Sequence, residues 1–384
     1  MTEQNNELAV LLGNGVSIAA NPDLVITGLT EEIRHRFETA ATGEAPHRVL
    51  SRLALRGKET GDPSADFEAM IGPLDQQKDN LEDLRDLVEL VADEAPAVRK
   101  AIGTVESFVL ALRRLGVGHA VDIIAKRSVA HWERSRGVDE FIAAVIGSVS
   151  GPVTIGNLNY DSLVMAAARR ATSNMCDMAW GYGGAAFDLL GNGHPIQAAE
   201  LRTHRGQFPH DRRVCLVHPH GSLTWLRDPT TGKIYKFDIQ SLRNIDYWVN
   251  WRDGKTEWEP QVVLTNQSAK SAVVERAPFG LAYDVLYERL VTADRWLIAG
   301  YSFRDECVND LLAQAWSERK SIPNVLVVTL GQAPTNAEVL AALGYNKARD
   351  GQAAQFLDIC RHGIEAAPLH HGWARWSGSM AIAA

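Results

Sequence analysis

The run Val214-Cys215-Leu216-Val217-His218-Pro219-His220-Gly221-Ser222-Leu223-Thr224-Trp225 is apolar up to His218 and then breaks at His220-Gly221. An imidazole at a strand end, followed by a residue without a side chain, can project into a cleft and exchange a proton near neutral pH. Three other segments carry groups that such a histidine would need to work on a dinucleotide. Gly13-Asn14-Gly15-Val16-Ser17 follows an apolar run, so its backbone can come close to a pyrophosphate and the helix after it adds partial positive charge. Asn157-Leu158-Asn159-Tyr160-Asp161 follows another and sets an amide, Asn159, and a carboxylate, Asp161, where ribose hydroxyls can be gripped. In Gly300-Tyr301-Ser302-Phe303-Arg304-Asp305, Gly300 allows close backbone approach and Ser302 can donate to a phosphate or ribose oxygen.

Each segment also has a plain structural reading. Gly13-x-Gly15 lacks the third glycine of the dinucleotide fingerprint and equally describes a tight turn with Ser17 as a helix cap. Asn159 and Asp161 equally describe an Asx turn ahead of a helix starting near Ser162. Strand alternation would put His218 on the face of His220, as a structural histidine or as half of a metal site with no third ligand. Asp305 also suits a helix cap. Asp66 and Glu68 are two carboxylates at a cleft edge or a solvated helix start, and stay outside the catalytic set.

The elements that must position these groups follow an α/β pattern. Leu8–Leu12, Pro152–Ile155, Arg213–Val217, Arg295–Ala299 and Asn324–Val328 are short continuous apolar runs, the signature of buried parallel strands. Helices are expected at about 162–171 and 305–318, the latter closing a strand-helix-strand unit. From about Thr30 to Ser148 the period is helical, with Leu81, Leu84, Leu87, Val88 and Val91 and then Val105, Phe108, Val109, Leu112 and Leu115 at spacings of three and four. Gly61-Asp62-Pro63-Ser64 and Glu94-Ala95-Pro96 punctuate that stretch. The expected fold is therefore α/β, a Rossmann-like parallel sheet with a large helical insertion at 30–148. Residues 178–212 show little periodicity. Residues 227–266, with Trp248, Trp251 and Trp258 among charged residues and turn signals, read as a loop-and-hairpin excursion over the site or toward a partner.

Composition narrows the function. The chain has 384 residues, enough for one large domain with insertions or two domains, and a net charge of -8. No dense basic block is present, which argues against direct nucleic-acid binding. No signal segment and no membrane-length apolar run is seen, so no membrane association and a cytoplasmic location are expected. Cys176, Cys215, Cys307 and Cys360 are far apart and make neither a zinc ribbon nor a disulfide framework.

Taken in this order, from residue 13 to about 310, the four segments resemble the silent-information-regulator (sirtuin-like) family, in its bacterial NAD-hydrolysing branch of antiphage defence. Gly13-Asn14-Gly15-Val16-Ser17 resembles that family's Gly-Ala-Gly-x-Ser phosphate loop, and Asn157 to Asp161 its Thr-Gln-Asn-Ile-Asp stretch. His220-Gly221 resembles the catalytic His-Gly, and Gly300-Tyr301-Ser302 the Gly-Thr-Ser that binds the adenosine half. The resemblance implies an NAD-binding domain over residues 1–384. It implies NAD as substrate, with Gly13, Asn14, Gly15, Ser17, Gly300 and Ser302 binding it and Asn159, His220 and Asp161 in the catalytic set. His220 would act as base, Asn159 would hold ribose and a water, and Asp161 would stabilise a cationic ribose or orient its loop.

The four-cysteine zinc module and the Gly-Ile-Pro-Asp-Phe-Arg segment of the deacylases are missing. Only Asn21-Pro22-Asp23 stands in the corresponding place, so no zinc and water as acceptor are expected. The products would be nicotinamide and ADP-ribose, depleting NAD. Control of such an activity implies homo-oligomerisation, through the helical insertion or the Trp-rich excursion, or a separately encoded HerA-type ring ATPase, since no appended sensor domain follows the core. The alternatives are a catalytically idle subunit that senses NAD or ADP-ribose, and a protein deacylase or ADP-ribosyltransferase.

Overall fold

The computed structural model describes residues 6–39, 45–59, 67–90, 96–129, 135–180, 184–264 and 267–378. Asp66, Val91, Gly61-Asp62-Pro63-Ser64 and Glu94-Ala95, all singled out above, lie outside these residues. Strands β1 (Leu8–Leu12), β2 (Val153–Asn157), β3 (Met175–Asp177), β4 (Ala185–Phe187), β5 (Ile196–Glu200), β6 (Val214–Val217), β7 (Gly221–Arg227), β8 (Ile234–Phe237), β9 (Glu259–Val262), β10 (Arg295–Ala299), β11 (Asn324–Val328) and β12 (Leu357–Cys360) form two sheets. The larger sheet is parallel in the order β12-β11-β10-β1-β2-β6-β3, and the smaller is antiparallel in the order β4-β5-β8-β7-β9.

The large sheet is apolar on both faces, as a parallel sheet covered by helices must be. Leu8, Val10 and Leu12 point to one side, into a core with Phe141, Ile142 and Val145 of α6 (Arg136–Gly147) and Val164 and Ala167 of α7 (Leu163–Ala171). Ala9 and Leu11 point to the other side, into a core with Leu286 and Leu290 of α11 (Phe279–Thr292) and Val308 and Leu312 of α12 (Glu306–Glu318). Helix α1 (Asn14–Ala20) leaves β1 directly. The α/β reading and its continuous apolar strands are therefore what the chain forms.

Helices α2 (Ile26–Thr39), α3 (Ala45–Glu59), α4 (Phe67–Glu89) and α5 (Pro96–Val129) come between β1 and β2. They build a third core that also takes residues of the small sheet. Helix α6, in sequence the last of this helical stretch, belongs to the layer that covers the large sheet.

The segment 227–266 differs from a surface excursion. Trp248, Trp251 and Trp258 are 4%, 2% and 9% exposed and share the third core with Phe37, Leu112 and Val121. The reason is local: Trp248 and Trp251, three apart on α9 (Tyr247–Arg252), lie on one face of that helix. Helix α9 sits so close to α5 that a β-carbon on Gly118 would lie 2.6 Å from Arg252 Cβ. A homo-oligomer contact built on these tryptophans has no exposed indole to use. Residues 178–212, read as irregular, hold β4 and β5 of the small sheet. Among the described residues no helix is long and apolar enough to cross a membrane.

Candidate active site

The parallel register brings four strand ends together. Leu12 pairs with Asn157 of β2 and Ala299 of β10, and Gly156 pairs with Val217 of β6. The segments that follow, at Gly13, Leu158, Gly300 and His218, therefore leave the carboxyl edge side by side. Between β1 and β10 the strand order reverses, and such a reversal leaves a crevice where open α/β sheets bind ligands.

The glycines pack two turns against each other. Gly13 N donates to Ala299 O at 2.9 Å and Gly15 N to Gly300 O at 2.8 Å. A β-carbon on Gly13 would lie 2.7 Å from Gly300 O, and one on Gly15 2.7 Å from Gly300 Cα. Gly300 itself has φ +64, and its β-carbon would meet Val16 N at 2.5 Å. These contacts require glycine, but they commit the Gly13 and Gly15 amides to protein carbonyls rather than to a phosphate. Asn14 Nδ2 donates to Leu24 O at 3.1 Å, tying the turn to the chain that follows. Ser17 is buried and is not a cap. Its hydroxyl donates to Asp161 Oδ2 at 2.5 Å.

Asn159 Nδ2 donates to Gly13 O at 3.1 Å, which joins the second segment to the first. Asp161 accepts from Leu163 N at 3.0 Å as well as from Ser17, so both its oxygens are engaged, as in the Asx turn. Burial pushes the Asp161 carboxyl above its ordinary range, against the hydrogen bonds from Ser17 and Leu163. Ser302 is exposed at the end of the fourth segment.

His220 reaches this edge from a turn. Gly221 has φ +82, and a β-carbon there would lie 2.2 Å from Gln261 O. The His220 carbonyl accepts from Val263 N at 2.9 Å. Its ring Nε2 lies 3.1 Å from Tyr283 Oη and 3.4 Å from Asp305 Oδ2, and the ring donates to the Leu158 backbone. Burial, helped by Lys270 and opposed by Asp305, pushes the imidazole down to about 3. The ring is therefore neutral at physiological pH and 5% exposed.

His218 does not share that face. Pro219 ends the strand, and His218 turns its edge to Trp225, with centroids 5.7 Å apart, and lies near Lys236 and Asp177. Burial, with Lys236 adding to it, pushes it down to about 4. Neither ring nitrogen finds a hydrogen-bond partner among the described residues. Among those residues no group of three or more His, Cys, Asp or Glu side chains is placed to hold a metal.

Several neighbours of His220 carry no motif. Lys270, on α10 (Gln267–Val274), makes a buried ion pair with Asp305 Oδ2. Tyr283 comes from α11. Tyr160 Oη lies 2.7 Å from both Glu68 Oε1 and Val263 O, so the helical stretch reaches the site through Glu68. Asp305 does cap α12, accepting from Val308 N at 3.3 Å, and its second oxygen faces His220. The cap was readable from Asp305-Glu306; the approach to His220 needed the fold. A cleft of about 370 Å³ opens elsewhere, between Pro22, Asp23 and Val25 and the helical residues Glu31, His35 and Arg127, and touches no candidate catalytic residue.

A family described as a SIR2-like domain matches residues 153–347. The match covers Asn159, Asp161, His220, Gly300 and Ser302, while the Gly13–Ser17 turn precedes it and is joined to it by the bonds to Asn159, Gly300 and Asp161. No curated protein matches the chain.

Proposed function

The chain belongs to the SIR2-like domain family, whose chemistry is linked to NAD, and on that premise we propose that it is an NAD+ hydrolase releasing nicotinamide and ADP-ribose. The observation that carries this reading is the convergence of Asn159, His220 and the Gly13 and Gly300 turns at the strand-order reversal of the large sheet. Asn159 offers the amide that holds the nicotinamide ribose and a water. His220, neutral at physiological pH, takes the proton of that water as the glycosidic bond breaks. Asp161, with both oxygens engaged, orients the loop that carries Asn159. Gly13 and Gly15 serve by letting the two turns close together. Water is the acceptor in this scheme.

The resemblance to the antiphage branch supports a role in depleting NAD during infection, in a homo-oligomer or with a HerA-type ring ATPase. The nucleotide-sensing alternative draws support from one observation, the closure of the site: His220 and Asn159 are 5% and 6% exposed. Nicotinamide release from NAD+, followed chromatographically for wild type, Asn159→Ala and His220→Ala, separates the two. Release by wild type and a loss of two or more orders of magnitude in both variants is expected. Tight NAD binding with no release in any of the three would establish the sensing reading instead.

A further inference from the structure

Asp305 stands between two bases. Its Oδ2 takes the ion pair from Lys270 and lies 3.4 Å from His220 Nε2, while its Oδ1 is held by the start of α12. The loop that delivers it is fixed from several sides. Phe303 has φ 59, and its carbonyl accepts from Asn309 Nδ2 at 3.0 Å. Tyr301 Oη lies 2.9 Å from Asn309 Oδ1 and 3.0 Å from Asp305 O, and its ring lies 4.8 Å from that of Phe303. A bulky residue at positive φ persists only where its surroundings over-determine it. The carboxylate is therefore a fixed post to which Lys270 and His220 come.

Resting on the NAD-cleaving reading of this site, we propose that Asp305 is the positioning residue for His220 and that Lys270 competes with His220 for it. One buried carboxylate oxygen cannot neutralise two cations. Burial opposes the charge of Lys270, yet Glu68 and Asp305 outweigh it and hold the ammonium above its ordinary range. His220 is then the partner left neutral, with burial and Lys270 both against its protonation. The other titratable groups on this wall are Glu68 from α4, Tyr283 from α11, Tyr301 from the loop and Cys307 from α12, and none of them brings positive charge. Withdrawal of Lys270 would return the Asp305 charge to the His220 ring.

A substrate-free nuclear magnetic resonance titration of the His220 ring in the full chain tests the competition, with wild type, Lys270→Met, Asp305→Asn and the double variant. Lys270→Met should raise the proton affinity of His220 by about tenfold or more. That rise should shrink in the Asp305→Asn background to the part that comes from direct repulsion by Lys270. Lys270→Gln serves in place of Lys270→Met if the latter does not fold by circular dichroism. An unchanged midpoint in Lys270→Met, or an equal rise with Asp305 already replaced, would overturn the proposal. NAD turnover should rise in Lys270→Met, with its acid limb moved to higher pH, and should fall in Asp305→Asn through kcat rather than KM. Because the titration uses no NAD, the expected titration with no cleavage by any variant would refute the hydrolase reading and leave the competition standing.

Discussion

Gly221 and His220 act as a unit, because the ring reaches the sheet edge only if the next residue tolerates φ +82 with Gln261 O close by. Gly221→Ala is expected to cost several kcal/mol and to abolish turnover, measured as urea unfolding beside nicotinamide release. The buried histidines set the acid response of the fold. His119 and His218 are pushed down to about 4 and His220 to about 3, all below the ordinary value of 6.5. The unfolded chain therefore binds more protons than the folded one. The stability this represents is complete above about pH 6.5 and is lost as pH falls toward 4, on the order of 2 kcal/mol per buried histidine by pH 5. His218→Leu should flatten that dependence while leaving neutral-pH stability nearly unchanged, because neither nitrogen has a hydrogen-bond partner among the described residues. Urea midpoints at pH 7 and pH 5 read both effects. His220 and its glycine could be recognised from residue type and order. Lys270 and Tyr283 could not, since they sit in ordinary helical sequence and matter only through the packing of α10 against α11 and α12 and of α11 against the large sheet.

The strands of the large sheet were readable because a parallel strand covered on both faces is apolar throughout, as in Leu8–Leu12 and Asn324–Val328. The small sheet was not. Ala185–Phe187 and Ile196–Glu200 are short, half-exposed strands that carry too little apolar pattern to stand out, and β5 joins the rest of the sheet through β8, further along the sequence. The same distance hid the role of the tryptophans, whose charged neighbours suggested surface while the i, i+3 pair Trp248 and Trp251 faces α5. Trp251→Ala should therefore cost about 3–5 kcal/mol, as for a core aromatic, and a value under 1 kcal/mol in urea unfolding would refute that placement. Ser17→Ala tests the joint between α1 and the β2 loop. Loss of the hydroxyl leaves Asp161 buried with one partner fewer, an expected 1–3 kcal/mol destabilisation with slower turnover.

At the scale of the whole molecule, the chain places a helical stretch between β1 and β2 and then returns, with β10, to the other side of β1. That return creates the crevice at which all four segments meet, and Glu68 carries the helical stretch to its rim. The order of the segments in the sequence pointed to the site; the closure around His220 and the committed amides of Gly13 and Gly15 arise from packing that no local pattern records. The most direct test of the account is NAD cleavage in oxygen-18 water, with the products read by mass spectrometry for wild type beside His220→Ala. The account predicts nicotinamide and ADP-ribose carrying one labelled oxygen from wild type, and neither product above background from the variant. Cleavage undiminished in His220→Ala, or ADP-ribose recovered only on peptide or protein and without label, would contradict it.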